Sequence, residues 1–270
     1  MKLPFAQIDA FASKPFEGNQ ACVMPLEAYF PDAVLQSIAA ENNVAETAFI
    51  VPQGEGVWQL RWFTPTVEVP LCGHATLAAG HYLYEQGFDG DLITFETRQS
   101  GSLFVSRLAD GRLEMDFPAA EIEPIEIDDA ISQALGARPV EAWAGPTYCA
   151  VFDSAEAIKA LQPDLGALAQ LGLADSAWGL GNVGCLALGG DGVDATSRFF
   201  APGSGIPEDP ATGSWHTMIA PVLAAKTSKT AFDCYQAYPG RGAQIGCELA
   251  EDRVKLRGNS VTVIEGTFRL

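Results

Sequence analysis

Arg61-Trp62-Phe63-Thr64-Pro65 and Arg198-Phe199-Phe200-Ala201-Pro202 stand 137 residues apart, and a second proline follows each, Pro70 in one case and Pro207 in the other. The same offset pairs Val69 with Ile206, Cys72 with Asp209, Glu46 with Val183, and Phe95-Glu96 with Phe232-Asp233. Further on, Arg112-Leu113 answers Arg253-Val254 at 141 residues, a change that a four-residue insertion near Tyr238-Pro239-Gly240-Arg241 explains. Self-similarity sustained over such a length marks an internal duplication. The expected domains are a first repeat over 1–118 and a second over 119–270, with the last strand free to pack back on the first.

Each copy reads as apolar strands, a proline-containing loop, a helix and further strands. After Cys72-Gly73-His74, Leu77, Gly80, His81 and Tyr84 fall at helical spacing, with Gly87 as the stop. Leu113, Met115 and Phe117 then alternate as a half-buried strand. In the second copy Met218, Ile219 and Val222 follow Thr212-Gly213-Ser214, with Pro221 as a kink, and Val261 and Val263 give a late strand. Between the copies, 128–135 and 153–161 read as peripheral helices, the latter opened by a capping box of Asp153 and Glu156. Strands interrupted by single central helices, without regular strand-helix alternation, argue for an α+β protein of two pseudo-symmetric domains.

The chain carries 34 acidic residues against 16 Lys plus Arg, a formal net charge of −18. That balance opposes binding to nucleic acid or to an anionic membrane surface. No signal-peptide pattern opens the chain and no apolar run is long enough to span a membrane, so a cytoplasmic location is expected. The six cysteines are scattered without a Cys-x-x-Cys pair, which points to buried thiols rather than disulfides or a zinc cluster. Beyond Cys72 and His74 only His81 and His216 remain as histidines, so no metal site is expected. Gly179-Leu180-Gly181-Asn182-Val183-Gly184 matches the dinucleotide fingerprint, but a strand-like Cys185-Leu186-Ala187-Leu188 follows where a helix is required. No cofactor is expected.

Two loops carry more weight, because both precede helices at corresponding points of the repeat. Cys72-Gly73-His74 and Asp209-Pro210-Ala211-Thr212-Gly213-Ser214 each place backbone amides at a helix N-terminus, where partial positive charge favours a carboxylate. If the two ends converge on a cleft, they form a site for a small anion. Glu46, at the entry to an apolar strand, belongs to one copy only. Desolvation there is expected to raise its pKa toward the range of a general acid/base, although a capping or ion-paired glutamate would look the same.

Taken together, Phe16-Glu17-Gly18-Asn19, Glu46-Thr47-Ala48-Phe49, Arg61-Trp62-Phe63-Thr64-Pro65, Leu71-Cys72-Gly73-His74-Ala75-Thr76, Phe200-Ala201-Pro202 and Glu208-Asp209-Pro210-Ala211-Thr212-Gly213-Ser214 resemble the PhzF-like phenazine-biosynthesis isomerases. These are related in fold to diaminopimelate epimerase. The resemblance implies a cofactor-independent isomerase whose two similar domains each wrap a curved, mostly antiparallel sheet around a central helix, assembled as a homodimer. It implies Glu46, His74 and Asp209 as catalytic residues. Asn19, Cys72, Gly73, Gly213 and Ser214 are implied as substrate-binding residues, with Trp215 reshaping the pocket where the family carries a small residue. The substrate implied is a small anionic metabolite that loses and regains a proton at carbon. Two alternatives stay open: a racemase or epimerase using Cys72 opposite Asp209, and a non-catalytic binding protein in which Trp215 blocks turnover.

Overall fold

In the computed structural model, which describes residues 1–173, 175, 177–190 and 192–270, the chain divides into two compact units. The first comprises residues 1–116 and 257–270, the second residues 117–256. The final strand therefore belongs to the first unit.

The first unit runs β1 (Lys2–Ala10), β2 (Asn19–Pro25), α1 (Asp32–Asn42), β3 (Glu46–Gly54), β4 (Val57–Phe63), β5 (Glu68–Val69), α2 (Gly73–Glu85), β6 (Leu92–Thr97), β7 (Ser102–Arg107) and β8 (Leu113–Pro118). The second runs β9 (Glu123–Ile125), α3 (Asp129–Leu135), β10 (Glu141–Ala144), β11 (Tyr148–Phe152), α4 (Ala155–Ala160), α5 (Leu165–Leu168), β12 (Val183–Leu188), β13 (Ala195–Phe200), α6 (Gly213–Lys226), β14 (Ala231–Gln236), β15 (Ala243–Ala250) and β16 (Arg253–Gly258). The chain ends with β17 (Ser260–Arg269), antiparallel to β1.

The duplication is written into the pairing. In the first unit β2–β3 is parallel, β3–β4 antiparallel, β4–β6 parallel and β6–β7 antiparallel. The second repeats that order with β11–β12, β12–β13, β13–β14 and β14–β15. Each parallel step needs a crossover, which a helix supplies. α2 fills that position in the first unit, packed against β1, β2, β3, β7 and β17, and α6 fills it in the second. Both are apolar on nearly every side, as a helix enclosed by strands must be. α6 runs through Pro221.

Strand register corrects the residue equivalences. Trp62 pairs with Val69 and Phe63 with Glu68 in the first unit. In the second, the Asp209 amide bonds the Phe199 carbonyl and Phe200 bridges to Glu208. Asp209 therefore matches Val69, not Cys72. The offset grows from 137 to 140 across the loop that contains the 3-10 turn Pro202–Ser204, and the N-cap of α6, Thr212, becomes the counterpart of Cys72, the N-cap of α2. Likewise, Thr47 faces Phe63 where Val183 faces Phe200, so the counterpart of Glu46 is Asn182 rather than Val183. Phe95 matches Cys234 rather than Phe232, because Trp58 pairs with Phe95 as Thr196 pairs with Tyr235 one position on.

Other local expectations resolve in the same way. α3 is capped by Asp128, whose carboxylate accepts from the Ala130 and Ile131 amides. α4 starts later than the capping-box pattern implied, because the Ser154 hydroxyl, not Asp153, accepts from the Ala157 amide. Gly87, at φ +94°, follows the end of α2 in the left-handed region that glycine tolerates. The glycine-rich run 179–184 leads into β12, and Gly184 is needed there for packing. No helix among the described residues is long and apolar enough to cross a membrane.

Candidate active site

Four polar side chains of the first unit meet at the entry to α2. Glu46 is the first residue of β3 and Asn19 the first of β2, and the parallel pairing of these strands sets both at the same end of the sheet. Cys72, in extended conformation, is the N-cap of α2, and His74 follows in its first turn behind Gly73. The Thr76 hydroxyl and amide both donate to the Cys72 carbonyl, fixing the turn that carries them.

His74 is the hub. Its Nε2 lies 3.1 Å from Glu46 Oε2, and its Nδ1 is 3.3 Å from the Asn19 amide and 3.5 Å from Cys72 Sγ. The His74 side chain is 7 % exposed and that of Glu46 17 %, which keeps the pair largely out of water. Neither Glu46 Oε2 nor His74 Nε2 has an aligned hydrogen bond among the described residues, so their approach is an ion-pair contact.

The electrostatics differ from the sequence expectation. Burial does work to raise the Glu46 pKa, but the His74 charge and a hydrogen bond with the Cys72 thiol bring it below the ordinary 4.5. Burial works to lower His74, and the polar partners Cys72 and Glu46 outweigh it, holding the imidazole well above 6.5. At neutral pH the pair is carboxylate and imidazolium. The structure sets Asn19 Nδ2 against His74 Nδ1, and an imidazolium, whose ring nitrogens both donate, calls for the flipped amide with its oxygen toward Nδ1. The Cys72 thiol is pushed up to about 11 by burial and by the Glu46 charge, which keeps it protonated. A single carboxylate, glutamate in one copy and asparagine in the other, remains the asymmetric element. Asn182 is committed to structure, its amide nitrogen donating to the Trp178 and Leu180 carbonyls and its oxygen accepting from the Ser204 hydroxyl.

In the second unit Asp209, Gly213 and Ser214 lie at the start of α6. The Thr212 hydroxyl donates to Asp209 Oδ2 at 2.6 Å. Gln236, fully buried on β14, ties the loop down: its Nε2 donates to the Asp209 carbonyl and to the Thr212 hydroxyl, and its Oε1 accepts from the Thr212 amide. Sequence reading missed Gln236, and the only signal was an amide in register with the inward-facing Phe232 and Cys234 of an alternating strand. Ser214 is exposed in the first turn, and its carbonyl accepts from the Thr217 hydroxyl.

Trp215 packs into the core. It is fully buried, its ring against Phe199 and over Gly184, where a β-carbon would come within 2.4 Å of the indole. Its counterpart in the first unit is Ala75 and that of Gly184 is Ala48, so a large and a very small residue in one copy replace two small ones in the other. The expectation that Trp215 reshapes or blocks the pocket gives way to a core role.

The two arginines that opened the repeat are structural. Arg198, 5 % exposed, forms a bidentate pair with Glu208 and donates to the Leu161 carbonyl. Arg61 makes the corresponding pair with Glu68 and a further contact with Asp32 at 2.9 Å. An arginine drawn into an apolar strand requires such a partner.

Residues 8–266 match the family pattern described as phenazine biosynthesis-like protein. A Pseudomonas aeruginosa relative named as an uncharacterized isomerase is 42 % identical, with all of both chains aligned. The crystal structure of a phenazine biosynthesis PhzF-family protein from Enterococcus faecalis superposes with a TM-score of 0.93 at 38 % identity, covering all of each chain. The crystal structure described as a probable proline racemase from Agrobacterium radiobacter aligns with a TM-score of 0.63 at 12 % identity, over 99 % of this chain and 93 % of that one, a likeness of fold alone.

Proposed function

Because this chain belongs to the phenazine biosynthesis-like family of isomerases, we propose that it moves a proton between carbon atoms of a small carboxylate-bearing metabolite, with Glu46 as general acid/base. The observation that carries the reading is the 3.1 Å Glu46–His74 pair, with Cys72 and Asn19 at Nδ1 of the same imidazole.

The chemistry follows from the two protonation states. Glu46 is ionised and ready to accept a proton, but the adjacent imidazolium makes it a weak base in the resting enzyme. A substrate carboxylate placed beside His74 draws on the same positive charge. Its arrival weakens the hold of His74 on Glu46, raises the proton affinity of Glu46 and adds an anion near the site of abstraction. Glu46 takes the proton from one carbon and returns it to another. His74, donating from a fixed ring, stabilises the negative charge that develops meanwhile. Asn19 orients that ring. Asp209, Gly213 and Ser214 are assigned to substrate binding on the family pattern, the two helix N-termini each offering amides to an anion.

The test is solvent-deuterium incorporation. Wild-type enzyme should exchange a carbon-bound proton of its substrate, and Glu46→Gln should lose that exchange while still binding ligand. Undiminished exchange in the variant would remove Glu46 from the mechanism. The racemase reading is weaker for two reasons. Cys72 and Asp209 are not equivalent positions, and a thiol held protonated is a poor base. Full activity in Cys72→Ser would exclude it.

A further inference from the structure

We propose that Glu46, Cys72 and His74 form a high-affinity site for a zinc ion, and that zinc occupancy switches the enzyme off. One ligand atom from each of the three lies within 4.8 Å of the other two, a carboxylate oxygen, a thiol sulfur and an imidazole nitrogen. It is the one such group of three metal-ligating side chains among the described residues. The sequence offered Cys72 and His74 as a candidate pair but not the third ligand, because Glu46 comes from a strand and the other two from a helix N-terminus.

The donor set selects the metal. Sulfur with imidazole favours zinc over magnesium or calcium, which take oxygen ligands. Around tetrahedral zinc, bonds of about 2.3 Å to sulfur and about 2.0–2.2 Å to nitrogen and oxygen are expected. Bond lengths of that kind set neighbouring donors roughly 3.5 Å apart; one imidazole nitrogen binds the metal, so either the 3.1 Å Nε2–Glu46 contact or the 3.5 Å Nδ1–Cys72 contact is such an edge, and the third donor, within 4.8 Å, closes in on binding. Two further features point to a ligand. Glu46 Oε2 and the nine-tenths buried His74 Nε2 are both buried polar atoms without an aligned hydrogen bond. The backbone is already organised, with Cys72 held at its carbonyl by Thr76 and His74 fixed in the first helical turn. On binding, zinc–sulfur, zinc–nitrogen and zinc–oxygen bonds form, and two protons leave to solvent, one from the thiol and one from the ligating nitrogen of the imidazolium. Three protein ligands leave a fourth position to water or to a substrate carboxylate, the arrangement of an open zinc site.

Zinc binding is independent of the role proposed for Glu46, and only the inhibition rests on that role. The experiment therefore reads binding directly. Protein stripped with a chelator is titrated with zinc chloride against a chromophoric competitor, and in parallel with cobalt(II), which reports sulfur ligation as a near-ultraviolet charge-transfer band. One zinc per chain is expected, with the cobalt band present. Cys72→Ser should abolish the band and weaken zinc binding about 100-fold, at or beyond the upper end of what loss of a supporting residue costs. Failure of the wild-type protein to bind stoichiometric zinc overturns the proposal, as does zinc affinity unchanged in a folded Cys72→Ser. X-ray absorption on zinc-loaded wild-type protein decides the matter should the variant not fold. A sulfur shell at about 2.3 Å is required, and a shell of nitrogen and oxygen alone refutes the site. Zinc that binds as described while proton exchange continues would leave the site standing and count against Glu46 as the base.

Discussion

The ion pair between Glu46 and His74 sets the pH behaviour of the site. His74 has its pKa raised above 6.5 in the fold, so the stability it contributes is fully present below pH 6.5 and is lost as pH climbs through its folded value. Glu46 is lowered below 4.5, so its contribution is present above pH 4.5 and is lost as pH falls through its folded value. The pair is intact between those limits and persists some way above 6.5. An NMR titration of the His74 ring should find it protonated at neutral pH in wild-type protein, and Glu46→Gln should move its midpoint down. An unchanged midpoint would mean that Glu46 is not what holds the proton. The same reasoning shows why the sequence misjudged Glu46. Burial was legible from its apolar neighbours, but the partners that reverse its effect stand 26 and 28 residues further on and arrive only through strand pairing and a helix cap.

At the scale of elements, α6 depends on a fitted pair that α2 lacks. A β-carbon at Gly184 collides with the Trp215 ring, so Gly184→Ala should cost about 1–3 kcal/mol by overpacking. Adding Trp215→Phe to that variant should recover part of the loss in chemical denaturation, and equal stability of Gly184→Ala and wild type would contradict the packing described. The arginine pairs give a second comparison. Glu208→Ala leaves Arg198 buried without a carboxylate partner among the described residues and should cost about 3–5 kcal/mol, whereas Glu68→Ala should cost less because Asp32 still reaches Arg61. Similar losses in the two variants would contradict that asymmetry. The sequence disclosed these arginines as the strongest repeat signal, and with them the strand, loop and helix order of both copies. It misplaced Asp209 opposite Cys72 because three residues are inserted between Phe200 and Glu208, in a loop whose length no hydrophobic period constrains. Trp215 was misread for a related reason: a large residue in a helix's first turn looks ligand-facing until Gly184 on the neighbouring strand is seen to make room for it.

For the whole molecule, a net charge of −18 would repel the proposed anionic substrate at long range, while the helix ends and His74 would attract it at contact. Salt screens the first more than the second, since the Debye length is about 10 Å at 0.1 M and buried pairs are screened less. The KM for a carboxylate substrate should therefore fall as ionic strength rises from low to physiological. A steep rise would indicate attraction by exposed cations instead. The fold class and the duplication were legible because both depend on patterns that recur along the chain, whereas the pairing of Glu46 with His74 depends on tertiary contact. That pairing carries the functional account, and deuterium exchange tests it most directly. Wild-type protein in heavy water, offered a panel of small carboxylic acids, should incorporate deuterium at carbon in at least one of them. Glu46→Gln should bind that same compound yet slow its exchange about 10²–10⁴-fold, the usual loss for a general acid/base. Exchange at the wild-type rate in the variant would contradict the account.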